Sequence, residues 1–357
     1  MKGSDLLNAR IAAIVSHFPE KILANDELAL IYPAWPASKI FEKTGIVQRH
    51  VVAADETAAD LAYQAARKLF ISGLISPKDI DFLILCTQAP DHILPTSACI
   101  LQDRLGLRTD IGAFDINLGC SGFVYGLSIA SALIKAGSAR RVLLLTADTY
   151  SKYIHPMDKS VRTLFGDAAA ATLVEAVEAV GEQNSSLDGA AFGGSGDLGP
   201  FVFGTDGSGS RNLIIPAGGF RRPIDISAAV EMTDDSGNVR TPANLYMNGA
   251  EVMAFTLRRV PAALNEILKR VNWLREEVDH FVFHQANRFM LETLRKKLKL
   301  SSTQMPVFME NCGNTVSSTI PIVLEHLAET GKLKTGQKLV LVGFGVGYSW
   351  AAAAMRA

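Results

Sequence analysis

Cys120 is the residue of this sequence best suited to covalent chemistry. It lies in the run 115–123, after a short apolar segment that predicts a buried strand and before a segment that predicts a buried helix. At such a turn, unpaired backbone N–H groups and the positive end of the helix dipole favour the thiolate, the nucleophilic form of cysteine. The alternative is that Cys120 is a small buried apolar residue, as most free cysteines are.

Two further residues strengthen the case for a nucleophile. His284 follows the apolar run 281–283, and Asn314 lies in a small-residue turn, 311–318, that opens a predicted helix. Each alone has an ordinary explanation, as a hydrogen-bonded core histidine and as a helix-capping asparagine. Together with Cys120, however, they lie at the ends of apolar strands, where α/β sheets place their chemistry. The three residues therefore predict one catalytic centre.

Apolar strands that alternate with helical segments predict an α/β layered fold around these residues. The strands are near-continuous apolar runs, as expected of strands covered on both faces. In the first half, the predicted strands are 82–86, 111–116, 141–146 and 168–174, and the predicted helices are 58–73, 95–105 and 120–136. In the second half, the predicted strands are 279–284, 306–309, 338–343 and 349–356, and the predicted helices are 288–299 and 315–330.

The two halves repeat one local order of features, in which a small-residue turn is followed by a helix, a glycine, a basic turn and a strand. The spacing from Cys120 to Gly137 equals that from Asn314 to Gly331. We interpret this as a duplication that brings Cys120 and Asn314 to equivalent helix starts across a pseudo-two-fold axis. Coincidence between two generic strand–helix–strand units is the alternative. The predicted halves are residues 1–180 and 181–357.

Composition and charge argue against several classes of protein. The chain has 357 residues, 48% of them hydrophobic, and a formal net charge of −1, so nothing indicates a nucleic-acid or anionic-membrane surface. No apolar stretch is long enough to span a bilayer, and residues 1–16 lack the pattern of a secretory signal. The four cysteines show neither a CxxC pair nor metal-ligand spacing, which predicts a cytoplasmic protein with reduced thiols and no metal site.

The glycine-rich stretch 189–219 predicts a loop region. Its run 204–209 resembles a phosphate cradle, but no strand and helix are predicted around it, as such a loop would need. We therefore expect no phosphate site in this stretch.

The sequence resembles the thiolase-like condensing enzymes, and in particular β-ketoacyl-acyl-carrier-protein synthase III and its relatives. The resemblance covers nearly the whole chain and follows the order of the family's motifs. It implies a five-layered αβαβα thiolase-like fold with two duplicated halves, assembled as a homodimer. The matching segments are 43–46 with Arg49, 89–98, 164–170, 248–252, 284–287, 311–315 and 343–350.

The resemblance also implies a reaction and a role for each catalytic residue. Cys120 would take the acyl group from a thioester, and malonyl-acyl carrier protein would then lose carbon dioxide and attack the acyl-cysteine. His284 and Asn314 would donate hydrogen bonds to the enolate oxygen, and the backbone N–H groups of Cys120 and Val346 would form a second oxyanion site. No permanently bound cofactor is expected. Coenzyme A or carrier-protein phosphopantetheine thioesters would be the substrates, and acyl carrier protein would be a partner.

Several positions that hold coenzyme A in the family differ here. Lys43 and Lys159 replace arginines, which keeps the positive charge but loses the planar, bidentate geometry. Lys39 and Ile40 stand where family members carry a tryptophan, and Ala250 stands at a family asparagine. The arginine expected to dock the carrier protein is shifted by one position, to Arg288. The resemblance assigns substrate binding to Lys43, Lys159, Gly249, Ala286 and Asn287.

Alternatives to condensation stay open on the sequence. One is a synthase III-like acyltransferase of secondary metabolism that passes the acyl group to an alcohol, an amine or another nucleophile. Another is an inactive subunit of a heterodimeric pair, which the presence of Cys120, His284 and Asn314 argues against. The altered coenzyme A positions indicate either another acyl donor or drift at a solvent-facing tunnel mouth.

Overall fold

The structure is a computed structural model that describes residues 7–178, 192 and 198–357. The strands in these ranges are β1 (Leu7–His17), β2 (Ile22–Ala24), β3 (Gln48–His50), β4 (Phe82–Cys86), β5 (Gly112–Ile116), β6 (Arg141–Asp148), β7 (Ala168–Glu178), β8 (Phe201–Thr205), β9 (Leu213–Ile214), β10 (Met232–Thr233), β11 (Val239–Arg240), β12 (Tyr246–Met247), β13 (His280–Phe283), β14 (Lys338–Gly345) and β15 (Ser349–Arg356). The helices are α1 (Asn25–Ile31), α2 (Ala37–Thr44), α3 (Ala58–Ile71), α4 (Ser97–Arg104), α5 (Gly122–Lys135), α6 (Lys159–Arg162), α7 (Gly249–Val271), α8 (Arg288–Leu298) and α9 (Thr319–Glu329).

Two larger sheets share one topology. The first has the strand order β1-β7-β6-β4-β5, and the second has the order β8-β15-β14-β13. In both sheets, the first two neighbouring pairs in this order are antiparallel and the third pair is parallel. The repeated order confirms the predicted α/β fold with duplicated halves.

The helices and the two sheets stack in five layers. Helices α3 and α4 pack on one face of the first sheet, α7 packs on one face of the second, and α5 and α9 lie between the sheets and contact both. Because side chains alternate across a strand, Leu83 and Leu85 of β4 pack with α3 while Ile84 packs with the central helices. The central helix α5 carries fully buried Phe123 and Val124, as a helix covered on both sides must.

The prediction of a strand at 306–309 was wrong, and the second sheet ends at β13, where the first sheet has a further strand, β5. Pro306 has no N–H for a ladder. The side chain of Gln285 instead accepts a hydrogen bond from the Phe308 N–H at 3.0 Å and donates one to the Phe283 carbonyl at 2.7 Å. The Gln285 side chain thus bonds backbone groups that a fifth strand would have paired.

Strand β1 was not predicted because its sequence is not a continuous apolar run. Arg10 interrupts it, and the structure shows why this charge is tolerated. Arg10 pairs with Glu175 on the neighbouring strand β7, with 2.5 Å between Nη2 and Oε1. Each charge compensates the other, so β1 can add to the edge of the first sheet although it carries an arginine.

Part of the predicted loop 189–219, residues 189–191 and 193–197, lies outside the described residues. The loop prediction was wrong where β8 and β9 form, and a short 3₁₀ helix, Gly207–Asn212, lies between these strands. A strand and a short helix therefore flank the run 204–209, contrary to expectation. Asp206 in this run accepts a hydrogen bond from the Ser208 N–H at 3.3 Å and pairs with Arg259 at 3.0 Å. A carboxylate in that position disfavours a bound phosphate.

The predicted boundary between the halves, at 180/181, lies outside the described residues, so the division into 1–180 and 181–357 stays a prediction. Strands β1 to β7 precede the boundary and β8 to β15 follow it. Each of the two larger sheets is built from strands on one side of it.

Candidate active site

Cys120 lies on the turn between β5 and α5 and is 5% exposed. Gly122 begins α5, and a Cβ there would lie 2.2 Å from the Cys86 sulfur, so only glycine fits this turn without displacement. Gly345, at the end of β14, approaches from the other half of the chain. A Cβ at Gly345 would lie 2.8 Å from the Cys120 sulfur. The two halves therefore meet at the thiol.

Burial and backbone N–H groups act on this thiol in opposite directions. Burial, together with the negative charge of Asp148, raises the pKa of Cys120 to about 12. The backbone N–H groups of Val346 and of Cys120 itself hydrogen-bond to the sulfur and lower that pKa by less. The expectation that the turn favours a thiolate is therefore wrong for the free protein, in which the thiol is protonated.

The pH dependence of alkylation should show that the Cys120 thiol is protonated in the free protein. With a pKa of about 12, the thiolate fraction rises about tenfold for each pH unit below that value. The rate at which iodoacetamide labels Cys120 should rise with the same slope between about pH 6 and pH 9. Mass spectrometry of the Cys120 peptide measures the rate, with exposed Cys99 as the reference thiol. A rate that levels off near neutral pH would contradict the expectation.

His284 directly follows β13, and its backbone N–H continues the strand pairing by donating to the Val342 carbonyl at 2.9 Å. The ring meets Phe344 edge to face, with 5.5 Å between the centroids. Nδ1 lies 2.8 Å from the Thr319 hydroxyl oxygen. Burial lowers the pKa of His284 to about 3, so the imidazole is neutral at physiological pH.

Asn314 is held by its backbone and by one side of its amide. Its N–H donates to the Leu164 carbonyl at 2.9 Å, and its carbonyl accepts from the Gly166 N–H at 3.0 Å. Its Oδ1 accepts from the Val316 N–H at 3.0 Å. Because the oxygen is engaged, the amide presents its Nδ2–H donors to a ligand.

One small cavity brings the three predicted catalytic residues together. It has a volume of about 60 Å³, and Cys120, His284 and Asn314 all line it. Gly249, Ala286 and Asn287, predicted to bind substrate, line it as well. The remaining wall is largely apolar and includes Leu164, Phe165, Leu213, Met247, Val252 and Met290. The cavity suits an acyl group and a thioester better than a strongly charged ligand.

A larger cavity of about 200 Å³ shares Phe165 with this site. It carries the cationic side chains of Lys21 and Arg162 and the hydroxyl of Ser151. The Ser151 hydroxyl is already engaged, since it donates to the Asp167 carboxylate. None of the three predicted catalytic residues lines the larger cavity, so the smaller one is the candidate active site.

Lys43 and Lys159, which are also predicted to bind substrate, do not line this smaller cavity. Lys43 is exposed in the last turn of α2. Lys159 donates from Nζ to the Ser236 carbonyl at 2.5 Å, so its ammonium is engaged by another segment of the chain. Asn287 lines the cavity, but its Oδ1 caps α8 by accepting from the Met290 N–H at 2.8 Å.

Arg288, the predicted carrier-docking residue, is also engaged within the protein. Its Nη2 lies 3.0 Å from a Glu310 carboxylate oxygen, and the guanidinium lies 4.9 Å from the centre of the Phe41 ring. Phe289, the next residue, is 66% exposed. A carboxylate of a partner would compete with Glu310 for Arg288.

Asp148 is a residue near the site that the sequence did not single out. It is fully buried at the end of β6, and burial raises its pKa to about 7. One carboxylate oxygen accepts from the Gln88 N–H at 2.9 Å, and the other accepts from the Ser317 hydroxyl at 2.5 Å and the Ser317 N–H at 3.2 Å. Asp148 thereby ties the turn that carries Asn314 to the first half. The sequence signal that could have identified Asp148 is an acidic residue at the end of an apolar strand.

Two general features of the described residues bear on function. None of their helices combines the length and the apolar character needed to cross a bilayer. They also contain no group of three or more histidine, cysteine or acidic side chains that could hold a metal ion.

Known proteins match this chain along almost its whole length. Sequence profiles described as 3-oxoacyl-[acyl-carrier-protein (ACP)] synthase III and as the C-terminal part of that enzyme match residues 114–193 and 268–357. The β-ketoacyl-[acyl-carrier-protein] synthase III of Caldanaerobacter subterraneus subsp. tengcongensis is 34% identical over 98% of this chain and 97% of its own length.

Solved structures agree with these sequence matches. A crystal structure of a 3-oxoacyl-(acyl-carrier-protein) synthase III has a TM-score of 0.93 and 58% identity, and the match covers 98% of this chain and 100% of that one. The 3-oxoacyl-(acyl-carrier protein) synthase from Burkholderia xenovorans LB400 has a TM-score of 0.84 and 38% identity, covering 98% and 94%. The fold is therefore thiolase-like, and the chain belongs to the β-ketoacyl-[acyl-carrier-protein] synthase III family of condensing enzymes, which are acyltransferases of class EC 2.3.1.

Proposed function

We propose that this enzyme catalyses the decarboxylative condensation of an acyl thioester with malonyl-acyl carrier protein, giving a β-ketoacyl product for fatty acid or polyketide-type biosynthesis. The observation that carries the proposal is the single cavity lined by Cys120, His284 and Asn314. Family membership supports the same reaction, because the relatives are named as β-ketoacyl-acyl-carrier-protein synthases.

In the first half-reaction, the Cys120 sulfur attacks the carbonyl carbon of the acyl thioester. The backbone N–H groups of Cys120 and Val346, which hydrogen-bond to the sulfur in the free protein, are suited to hold the oxyanion of the tetrahedral intermediate. The C–S bond to the donor then breaks. The thiol proton of Cys120 leaves with the donor thiolate, so an acyl-cysteine and a free thiol result.

In the second half-reaction, malonyl-acyl carrier protein loses carbon dioxide to give an enolate. His284 and the Asn314 amide would each donate a hydrogen bond to the enolate oxygen, and a neutral imidazole is sufficient for this role. The carbanion attacks the acyl-cysteine carbonyl, and the β-ketoacyl carrier protein forms. The Cys120 thiolate departs and takes up a proton, which restores the starting thiol.

The proposal also concerns the molecule that donates the acyl group. Lys159 keeps the charge of the arginine it replaces but donates to Ser236, and Arg288 pairs with Glu310. These contacts favour a donor or carrier whose contacts differ from the family pattern. Transfer of the acyl group to an alcohol or amine is the alternative, and labelled carbon dioxide released from malonyl-acyl carrier protein distinguishes the two reactions.

We also propose a homodimer in the cytoplasm. Strand β5 is an edge of the first sheet, and all its residues, including Phe114 and Ile116, are only half-buried. An apolar edge strand needs a cover, and pairing with the same strand of a second copy would cover both edges by two-fold symmetry. Light scattering should give twice the 38.4 kDa chain mass. A monomer at micromolar concentration would overturn the proposed dimer. Cell fractionation tests the location, and the protein is expected in the cytoplasmic fraction.

A further inference from the structure

The hydroxyl of Thr319 lies between the His284 ring and the Val316 carbonyl and has one proton to donate. Thr319 begins α9 and is 2% exposed. Its Oγ1 lies 2.8 Å from Nδ1 of His284 and 3.1 Å from the carbonyl oxygen of Val316. A hydroxyl can donate to only one of them at a time.

The direction of this hydroxyl is linked to the position of the proton on His284. If the hydroxyl donates to Nδ1, the single ring proton of the neutral imidazole is on Nε2, the nitrogen left for the cavity. If it donates to Val316, Nδ1–H donates to the hydroxyl oxygen and Nε2 carries a lone pair. Only the first arrangement supplies a hydrogen-bond donor to an enolate.

The backbone carbonyl of Val316 would favour the other tautomer of His284 if the Thr319 hydroxyl were absent. Val316 has a φ of 55°, a conformation that β-branched residues rarely adopt. Its N–H is directed to Asn314 Oδ1, and its carbonyl lies near both the Thr319 hydroxyl and the His284 ring. Without a hydroxyl at position 319, the carbonyl would be the remaining polar neighbour of Nδ1. A carbonyl accepts hydrogen bonds and therefore favours Nδ1–H.

We propose that Thr319 is a positioning residue that holds His284 in the Nε2–H tautomer by donating its hydroxyl proton to Nδ1. Among the described residues, no carboxylate lies within hydrogen-bonding distance of the ring, so no acidic partner fixes the tautomer instead. The inference rests on the proposed function, in which His284 acts as a donor.

The first test measures the tautomer directly. The full-length protein carrying ¹⁵N-labelled histidine is compared with Thr319→Val and Thr319→Ser by ¹⁵N–¹H correlation spectra, and the His284 signals are assigned by their loss in His284→Ala. We expect Nε2–H in the wild type and in Thr319→Ser, and Nδ1–H in Thr319→Val. Nδ1–H in the wild type, or an unchanged tautomer in Thr319→Val, overturns the proposal.

The second test separates the two half-reactions. Thr319→Val should reduce carbon dioxide release from malonyl-acyl carrier protein about 10- to 100-fold while changing Cys120 acylation less than about twofold, and Thr319→Ser should retain both. Thr256→Val is the matched control, because the buried Thr256 hydroxyl bonds only within α7, to the Val252 carbonyl at 2.8 Å. Equal loss of both steps would reveal a merely structural role and overturn the proposal.

These readouts distinguish failure of the inference from failure of the proposed function. If the wild-type protein releases no carbon dioxide from the malonyl thioester, the proposed function fails. The tautomer of His284 is still measurable on that protein, so the link between Thr319 and His284 is decided in either case.

Discussion

Cys120→Ala should abolish the covalent acyl adduct and reduce turnover by about 10⁴-fold or more, since the remaining groups can stabilise charge but cannot hold the acyl group. The protein is incubated with a panel of acyl thioesters of different chain lengths, on coenzyme A and on acyl carrier protein. Intact-mass spectrometry then detects the adduct, and peptide mapping places it. The same panel identifies the acyl donor.

Cys312→Ala is the matched control for this substitution. Cys312 is as buried as Cys120, and burial raises its pKa to about 12 as well. Its sulfur, however, lies against the Phe308 and Gly313 carbonyls and does not line the catalytic cavity. Cys312→Ala should therefore keep the adduct. Labelling that survives in Cys120→Ala, or no labelling of the wild type by any thioester, would remove the first step of the proposed mechanism.

The residues that line the cavity were predictable because each follows a strong local pattern. Cys120 and His284 come directly after apolar segments, and Asn314 opens a helix within a turn of small residues. Cys120 follows β5 of the first sheet and His284 follows β13 of the second. The patterns at strand ends located these residues, and the repeated order of the two halves predicted that Cys120 and Asn314 face each other. The repeated order of the halves was likewise visible in the spacing of glycines.

The residues that support the site were not predictable in the same way. Asp148 and Ser317 are 169 residues apart in sequence, and their contact exists only after the two halves pack together. Thr319 is an ordinary first residue of a helix until folding places it beside His284, 35 residues earlier. No local pattern marks such contacts.

The charge state of Cys120 shows a second limit of local reasoning. The helix start and its N–H groups were visible in the sequence, and they do lower the pKa of the thiol. The opposing effect comes from burial of the thiol beneath residues of both halves and from the charge of Asp148. Desolvation depends on how the whole molecule packs, so the net direction could be obtained only from the structure.

The arrangement of hydrogen-bond donors is compatible with the two proposed half-reactions at one site. Backbone N–H groups contact the Cys120 sulfur, and in the proposed mechanism they would hold the acyl oxyanion that forms beside it, while the side chains of His284 and Asn314 line the same cavity from the second half. The two oxyanions would then use different donors. Substitution of a side-chain donor should therefore affect one half-reaction more than the other.

His284→Ala should reduce carbon dioxide release from malonyl-acyl carrier protein by about 10²- to 10³-fold, the usual cost of removing one oxyanion donor. Acylation of Cys120 should change only a few-fold, because its oxyanion would be held by backbone N–H groups. Release of labelled carbon dioxide measures the first quantity, and the rate of adduct formation by mass spectrometry measures the second.

His280→Ala is the matched control, since His280 is a buried histidine that begins β13 and does not line the cavity. Its Nε2 lies 3.1 Å from the Lys332 carbonyl oxygen. It should leave the ratio of the two rates unchanged. If His284→Ala instead slowed acylation and decarboxylation equally, the imidazole would act in both steps, as a base for the buried thiol would. The protonated state of Cys120 makes this the sharpest alternative, and the ratio of the two rates decides it.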